Sequence, residues 1–165
     1  MALPEITYRA AYITGKYRYW LERRWLHARY NAPQVVWCML NPSTADAETD
    51  DPTVRRCVGF THAWGYSRMT VVNLYAYRAT NPRELGPLGH AKRLGPENYD
   101  WLFYFMHNVM RNVRLVLCAW GAGRLDPLPH VITDVRRYAL AFTKTGEPSH
   151  PLYLSAALGP TLVST

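Results

Sequence analysis

The sequence predicts an α/β fold: a three-layer sandwich around a central four-stranded, mainly parallel sheet, preceded by an N-terminal β-hairpin. Three observations predict it. Short apolar runs at 35–40, 69–74 and 113–119 suit strands buried on both faces. Each run stops abruptly at polar or glycine-containing residues. Between them lie segments with helix-start signals, and alternation of this kind gives parallel strands with right-handed crossovers and helices on both faces.

The hairpin comes first, over residues 5–30. ITYRAAYI is followed by Thr14-Gly15-Lys16 and then by YRYWLERRW. Tyr17, Tyr19, Leu21, Arg23 and Trp25 fall on one face, and Arg18, Trp20, Glu22 and Arg24 on the other. Both faces carry aromatics. This reads first as an antiparallel cover for a sheet edge. The functional alternative is a basic-aromatic surface near nucleic acid.

The first buried strand, Val35-Val36-Trp37-Cys38-Met39-Leu40, runs into Asn41-Pro42-Ser43-Thr44. Asp46, Glu48, Asp50 and Asp51 follow, most simply as a solvated loop and a helix cap. Asp51 caps, Pro52 takes the first helical position, and Val54, Cys57 and Val58 mark an apolar face, so a helix is expected over 52–64 and ends at Gly65. The second strand ends at Asn73 and leads to Tyr75-Ala76-Tyr77-Arg78. A long loop spans 80–95. A helix over 96–111 presents Leu102, Phe105, Met106 and Val109.

The third strand, 113–119, runs into Trp120-Gly121-Ala122-Gly123. A helix over 129–140 would turn Val131, Val135 and Tyr138 inward. A short fourth strand over 139–142 leads to Lys144 and Gly146, and then to Glu147-Pro148-Ser149-His150-Pro151-Leu152-Tyr153-Leu154. No repeat or linker divides the chain, so residues 1–165 read as one domain.

Composition narrows the function. Net charge is +7 over 165 residues, which favours anionic partners such as nucleic acid. No apolar run approaches the ~20 residues of a membrane span, and the N-terminus lacks a signal-peptide pattern, so a cytoplasmic protein is expected. The three cysteines include no CxxC, and the six histidines no HExxH. No metal and no cofactor is expected. Cys38 and Cys118 read as core residues. P-loop, dinucleotide and GxSxG signatures are absent.

The strand exits bring chemistry to one edge of the sheet, where open α/β folds bind ligands. Asn41 and Asn73 can each donate and accept, and His150 is held between two prolines. Tyr75 and Tyr77 offer rings for stacking on a planar ligand, and Trp120 begins an apolar wall. Each has a plainer reading: Asn41 as a turn residue, Asn73 as a satisfied sheet-end amide, His150 as a surface histidine.

MLNPSTADAETDDPTVRRC, WGYSRMTVVNLYAYRATNP, AWGAG and TKTGEPSHPLYL together resemble the domain-of-unknown-function 1643 family over nearly the whole chain. More distantly, three motifs in order are similar to those of the uracil-DNA glycosylase superfamily: Met39-Leu40-Asn41-Pro42-Ser43, Val72-Asn73-Leu74 and His150-Pro151-Leu152. That resemblance implies a DNA glycosylase that flips a modified or damaged pyrimidine from DNA and hydrolyses its N-glycosidic bond. It makes Asn41 the residue orienting the attacking water and His150 the support of the leaving base. Asn73 would read the base edge, with Pro42, Ser43, Tyr75, Tyr77 and Trp120 around it. Arg55, Arg56, Arg78 and Lys144 would meet phosphates, and Leu152 or Tyr153 would fill the vacated stack. The sequence departs from that superfamily in continuing His-Pro with Leu-Tyr and in lacking the iron–sulfur cysteines. The alternatives are a pocket for a free nucleotide or nucleobase, and a non-catalytic nucleic-acid-binding module.

Overall fold

The computed structural model describes residues 2–107 and 112–163. Strands β1 (Ile6–Thr14) and β2 (Tyr17–Trp25) form the expected hairpin around a tight turn, with Gly15 at φ 56°. Then come β3 (Gln34–Met39), α1 (Pro52–Ala63), β4 (Arg68–Asn73), α2 (His90–Leu94), α3 (Asn98–His107), β5 (Val113–Cys118), α4 (His130–Thr133), β6 (Arg137–Ala139) and β7 (Thr161–Leu162).

All seven strands join one mixed sheet in the order β1-β2-β4-β3-β5-β6-β7. β3 pairs in parallel with β4 and β5, and β5 with β6. The outer pairings β1–β2, β2–β4 and β6–β7 are antiparallel. The expected sheet of four strands is therefore too small. The hairpin does not merely cover an edge: Trp20 to Arg24 of β2 pair with Arg68 to Val72 of β4 and extend the sheet.

Alternation across β3 and β4 divides the core. Val36, Cys38 and Val72 pack with Leu102 and Phe105 of α3 and Val131 and Ile132 of α4. Val35, Trp37, Met69 and Val71 pack with Val54, Cys57, Val58 and Phe60 of α1. The α1 start follows the sequence signals: the Asp51 carboxylate accepts from the Val54 N–H at 2.8 Å, Pro52 is in the first turn, and Gly65 follows the helix at φ 82°.

Four expectations need correction. The 129–140 helix is a single turn, because Arg137–Ala139 forms β6 and Tyr138 aligns with Leu117. The fourth strand lies at those residues rather than 139–142; Phe142 instead bridges to Pro148. The 80–95 loop contains a 3-10 turn, Pro82–Leu85, and α2. The helix expected over 96–111 begins at Asn98, and its Val109 lies outside the described residues.

Among the described residues, no helix is long and apolar enough to cross a membrane. The three cysteines are free and buried, and burial raises each thiol's pKa, that of Cys118 to about 12.

Candidate active site at the strand exits

The carboxyl ends of β3, β4 and β5 open onto a cavity of about 440 Å³, within the ~300–1,000 Å³ usual for ligand sites. Its lining includes Asn41, Ser43, Asn73, Trp120, His150, Leu152 and Tyr153. The two asparagines and the histidine, far apart in sequence, thus face one space.

Each is held by its own local structure. The Asn41 side-chain nitrogen donates to the carbonyl oxygens of Ala79 (2.8 Å) and Pro42 (3.0 Å). Both partners are carbonyls, so the nitrogen must face them and the amide oxygen is left for another donor. The Ala79 N–H donates in turn to the Pro42 carbonyl at 2.9 Å, which couples the first and second strand exits. Asn73 is buried, and its side-chain oxygen accepts a long 3.4 Å bond from Arg18. Behind it, the Asn98 amide donates to the carbonyls of Asn73 and Leu74, both at 3.0 Å, and fixes the end of β4.

The His150 loop is fastened to the β5 exit. The Gly121 N–H donates to the Pro148 carbonyl at 2.8 Å, with Gly121 at φ 70°. The Trp120 indole N–H donates to Glu147 at 2.6 Å, and Arg124 pairs with the same carboxylate at 2.7 Å. Arg124 chiefly holds the Glu147 pKa below its ordinary value.

His150 Nδ1 accepts from the Leu152 N–H at 3.4 Å. The neutral ring therefore carries its proton on Nε2, available as a donor. Desolvation lowers the pKa of His150 from the ordinary imidazole value, and Asp51 partly opposes this.

The cavity holds two ionic groups that sequence reasoning did not place there. Asp51, read as a helix cap, also lines it, as does Arg18 from β2. A charge in an alternating hairpin looks solvent-facing; here it is buried, because β2 lies between β1 and β4. The acidic run after Asn41 is largely used internally. Asp50 pairs with Arg23 (2.8 Å) and Arg9 (2.7 Å), and Asp46 accepts from the N–H groups of Glu48 and Thr49.

A family profile described as "Protein of unknown function (DUF1643)" matches residues 18–152. The chain belongs to this family. The DUF1643 match begins at Arg18 and ends at Leu152, so it takes in every cavity residue named above except Tyr153. No curated protein and no solved structure matches the chain.

Other expected site residues of this DUF1643 chain lie elsewhere. Tyr75 is buried away from the cavity, its hydroxyl accepting from the N–H groups of Leu125 and Asp126 at 2.9 and 3.0 Å. Tyr77 bridges to Tyr17, with their rings edge-on at 5.9 Å. Neither is placed to stack on a ligand in the cavity. Pro42 is buried, and its contribution is its carbonyl. Arg56 donates to the Leu154 carbonyl and lies 4.7 Å over the Phe60 ring; Arg78 donates to the Ser43 and Thr44 carbonyls. Both brace loops. Arg55 is exposed but bonds the Asp50 carbonyl, and Lys144 lies exposed in the turn before Gly146. Tyr153 is 91% exposed at the cavity rim.

Proposed function

We propose that this cavity is the active site of a monofunctional DNA glycosylase acting on a flipped, modified or damaged pyrimidine. The observation that carries this is the convergence of Asn41, Asn73 and His150 on one cavity. The order of their motifs is similar to that of the uracil-DNA glycosylase superfamily, and the parallel pairings of β3, β4, β5 and β6, with helices on both faces, are consistent with a fold of that kind.

The chemistry divides among the residues. Departure of a base leaves positive charge on the sugar and negative charge on the base. The free oxygen of the Asn41 amide accepts from the attacking water and aims it at C1′. Asp51 stabilises the developing positive charge and takes the water's proton. As the water oxygen bonds to C1′, the C1′–N1 electron pair passes to the base. The His150 Nε2–H donates to the base oxygen where that charge collects. Asn73 bonds the base edge, and Tyr153 enters the gap left in the duplex. Arg55 and Lys144 supply exposed positive charge for phosphates.

The test is a panel of duplexes containing uracil, mismatches or bulky modified pyrimidines, incubated with protein and then treated with alkali. Strand breaks at the modified position support the assignment. DNA binding that weakens steeply with salt, with no abasic product on any substrate, would favour a non-catalytic binding module instead.

A further inference from the structure

Arg18 is the feature of the cavity that glycosidic hydrolysis does not use. It is 3% exposed, yet it forms no ion pair with any described carboxylate. Of its five N–H donors, one meets the Ala45 carbonyl at 2.8 Å and one reaches Asn73 at the long distance of 3.4 Å. Its Nε is sealed from water and has no acceptor.

Its charged neighbours do not resolve this. Arg23 is already paired with Asp50, Arg78 bonds loop carbonyls and Asp46 caps its own turn; Asp51, the main charge opposing the fall in the Arg18 pKa, accepts from Val54 and makes no ion pair with Arg18. Burial pulls the Arg18 pKa down to about 10, so the guanidinium stays charged at neutral pH. Buried charges in folded proteins are normally paired. A buried guanidinium on a ligand cavity, with no carboxylate in ion-pair contact, is suited to an anion that arrives with the ligand.

We infer that Arg18 is a specificity residue, binding an anionic substituent on the pyrimidine that enters the cavity. The inference rests on the assignment of the cavity as a base pocket, in which Asn73 and Arg18 stand side by side. The Asn73 side-chain oxygen is turned to Arg18, and its nitrogen donates to no described group. A pyrimidine whose O4 accepts from that nitrogen brings its C5 substituent to Arg18 when its C5 edge, and not N3, is turned to the oxygen side of the amide, where the guanidinium lies. Asp51, not ion-paired with Arg18, is left to face the sugar.

The test is titration calorimetry of the intact protein at low salt and pH 7 with three probes: uracil, 5-carboxyuracil and uridine 5′-monophosphate. The expected result is that 5-carboxyuracil binds about tenfold or more tightly than uracil. Arg18→Gln abolishes that preference, and Arg18→Lys, which keeps the charge but not the planar fork, retains part of it. Equal binding of the two bases by the parent protein, or a preference that survives Arg18→Gln, overturns the inference. So does a preference for the nucleotide over 5-carboxyuracil that Arg18→Gln removes, because the anion would then be a phosphate. If Arg18→Gln does not fold, Arg18→Lys carries the comparison: a preference it leaves undiminished overturns the inference. If the ranking holds while no duplex yields an abasic site, the anion site stands and the glycosylase assignment falls. If abasic product forms without discrimination between the two bases, the glycosylase assignment stands and the anion site falls.

Discussion

The side-chain nitrogen of Asn41 lies 2.8 Å from the carbonyl oxygen of Ala79, so the residue at the first strand exit is locked by the loop that follows the second. The amide acts twice: its nitrogen fastens two loops and its oxygen is left facing chemistry.

Asn41→Asp separates these roles. A carboxylate would set an oxygen against the Ala79 and Pro42 carbonyls. The change should cost roughly 1–3 kcal/mol in urea unfolding, more than Asn41→Ala, which only deletes the bonds. Equal stability of Asn41→Asp and the parent would show that the two loops are held by other means.

His150 predicts the acid limb of activity. Its pKa is lowered from the ordinary imidazole value near 6.5. The neutral ring predominates above that lowered pKa; below it, protonation of Nδ1 removes the acceptor for the Leu152 N–H that orients the ring, although Nε2 keeps its proton. Base release should therefore be flat through neutral pH and fall only as pH drops below about 6.5. A limb centred above 6.5 would mean that a different group titrates.

Tyr153 is 91% exposed and stands on the Pro151–Tyr153 turn, which packs against α1. Tyr153→Ala should change stability by no more than about 0.5 kcal/mol. It should slow base release from duplex DNA more than from single strands, which have no stack to fill. Equal slowing on both substrates would remove the wedge role.

A fold prediction comes from the Arg93–Asp126 pair, bonded at 2.8 and 2.9 Å. Hydrogen bonds from Arg93 are the main reason the Asp126 pKa lies well below the usual carboxylate range, with His90 and Tyr75 adding to the effect. A carboxylate with a depressed folded pKa stabilises fully above its unfolded value, ~3.9, and loses that contribution as pH falls through the folded one. Asp126→Asn should thus lower stability by roughly 1–3 kcal/mol at pH 7. The deficit should shrink steadily below pH ~4, as followed by thermal melts across pH.

What the sequence disclosed depended on how local each signal was. The β3 run, the Asp51-Pro52 start of α1 and the halt of β4 at Asn73 are each written within a few neighbouring residues. Residues 129–140 misled because Val131, Val135 and Tyr138 have helical spacing, whereas Tyr138 is claimed by strand pairing with Leu117. The two exposed residues of β7 are too few to show a period. Arg18 was invisible for a related reason. Its burial depends on β2 lying against β4, some fifty positions further along the chain, and no pattern inside the hairpin reports that.

The decisive measurement is single-turnover base release from the best duplex substrate, comparing the parent protein with Asn41→Ala at matched DNA occupancy. The water-orienting role of Asn41 predicts abasic product from the parent, a loss of about 10²-fold or more in the variant, and nearly unchanged DNA affinity. Release at the parental rate by Asn41→Ala, or none from the parent on any modified pyrimidine, would contradict it.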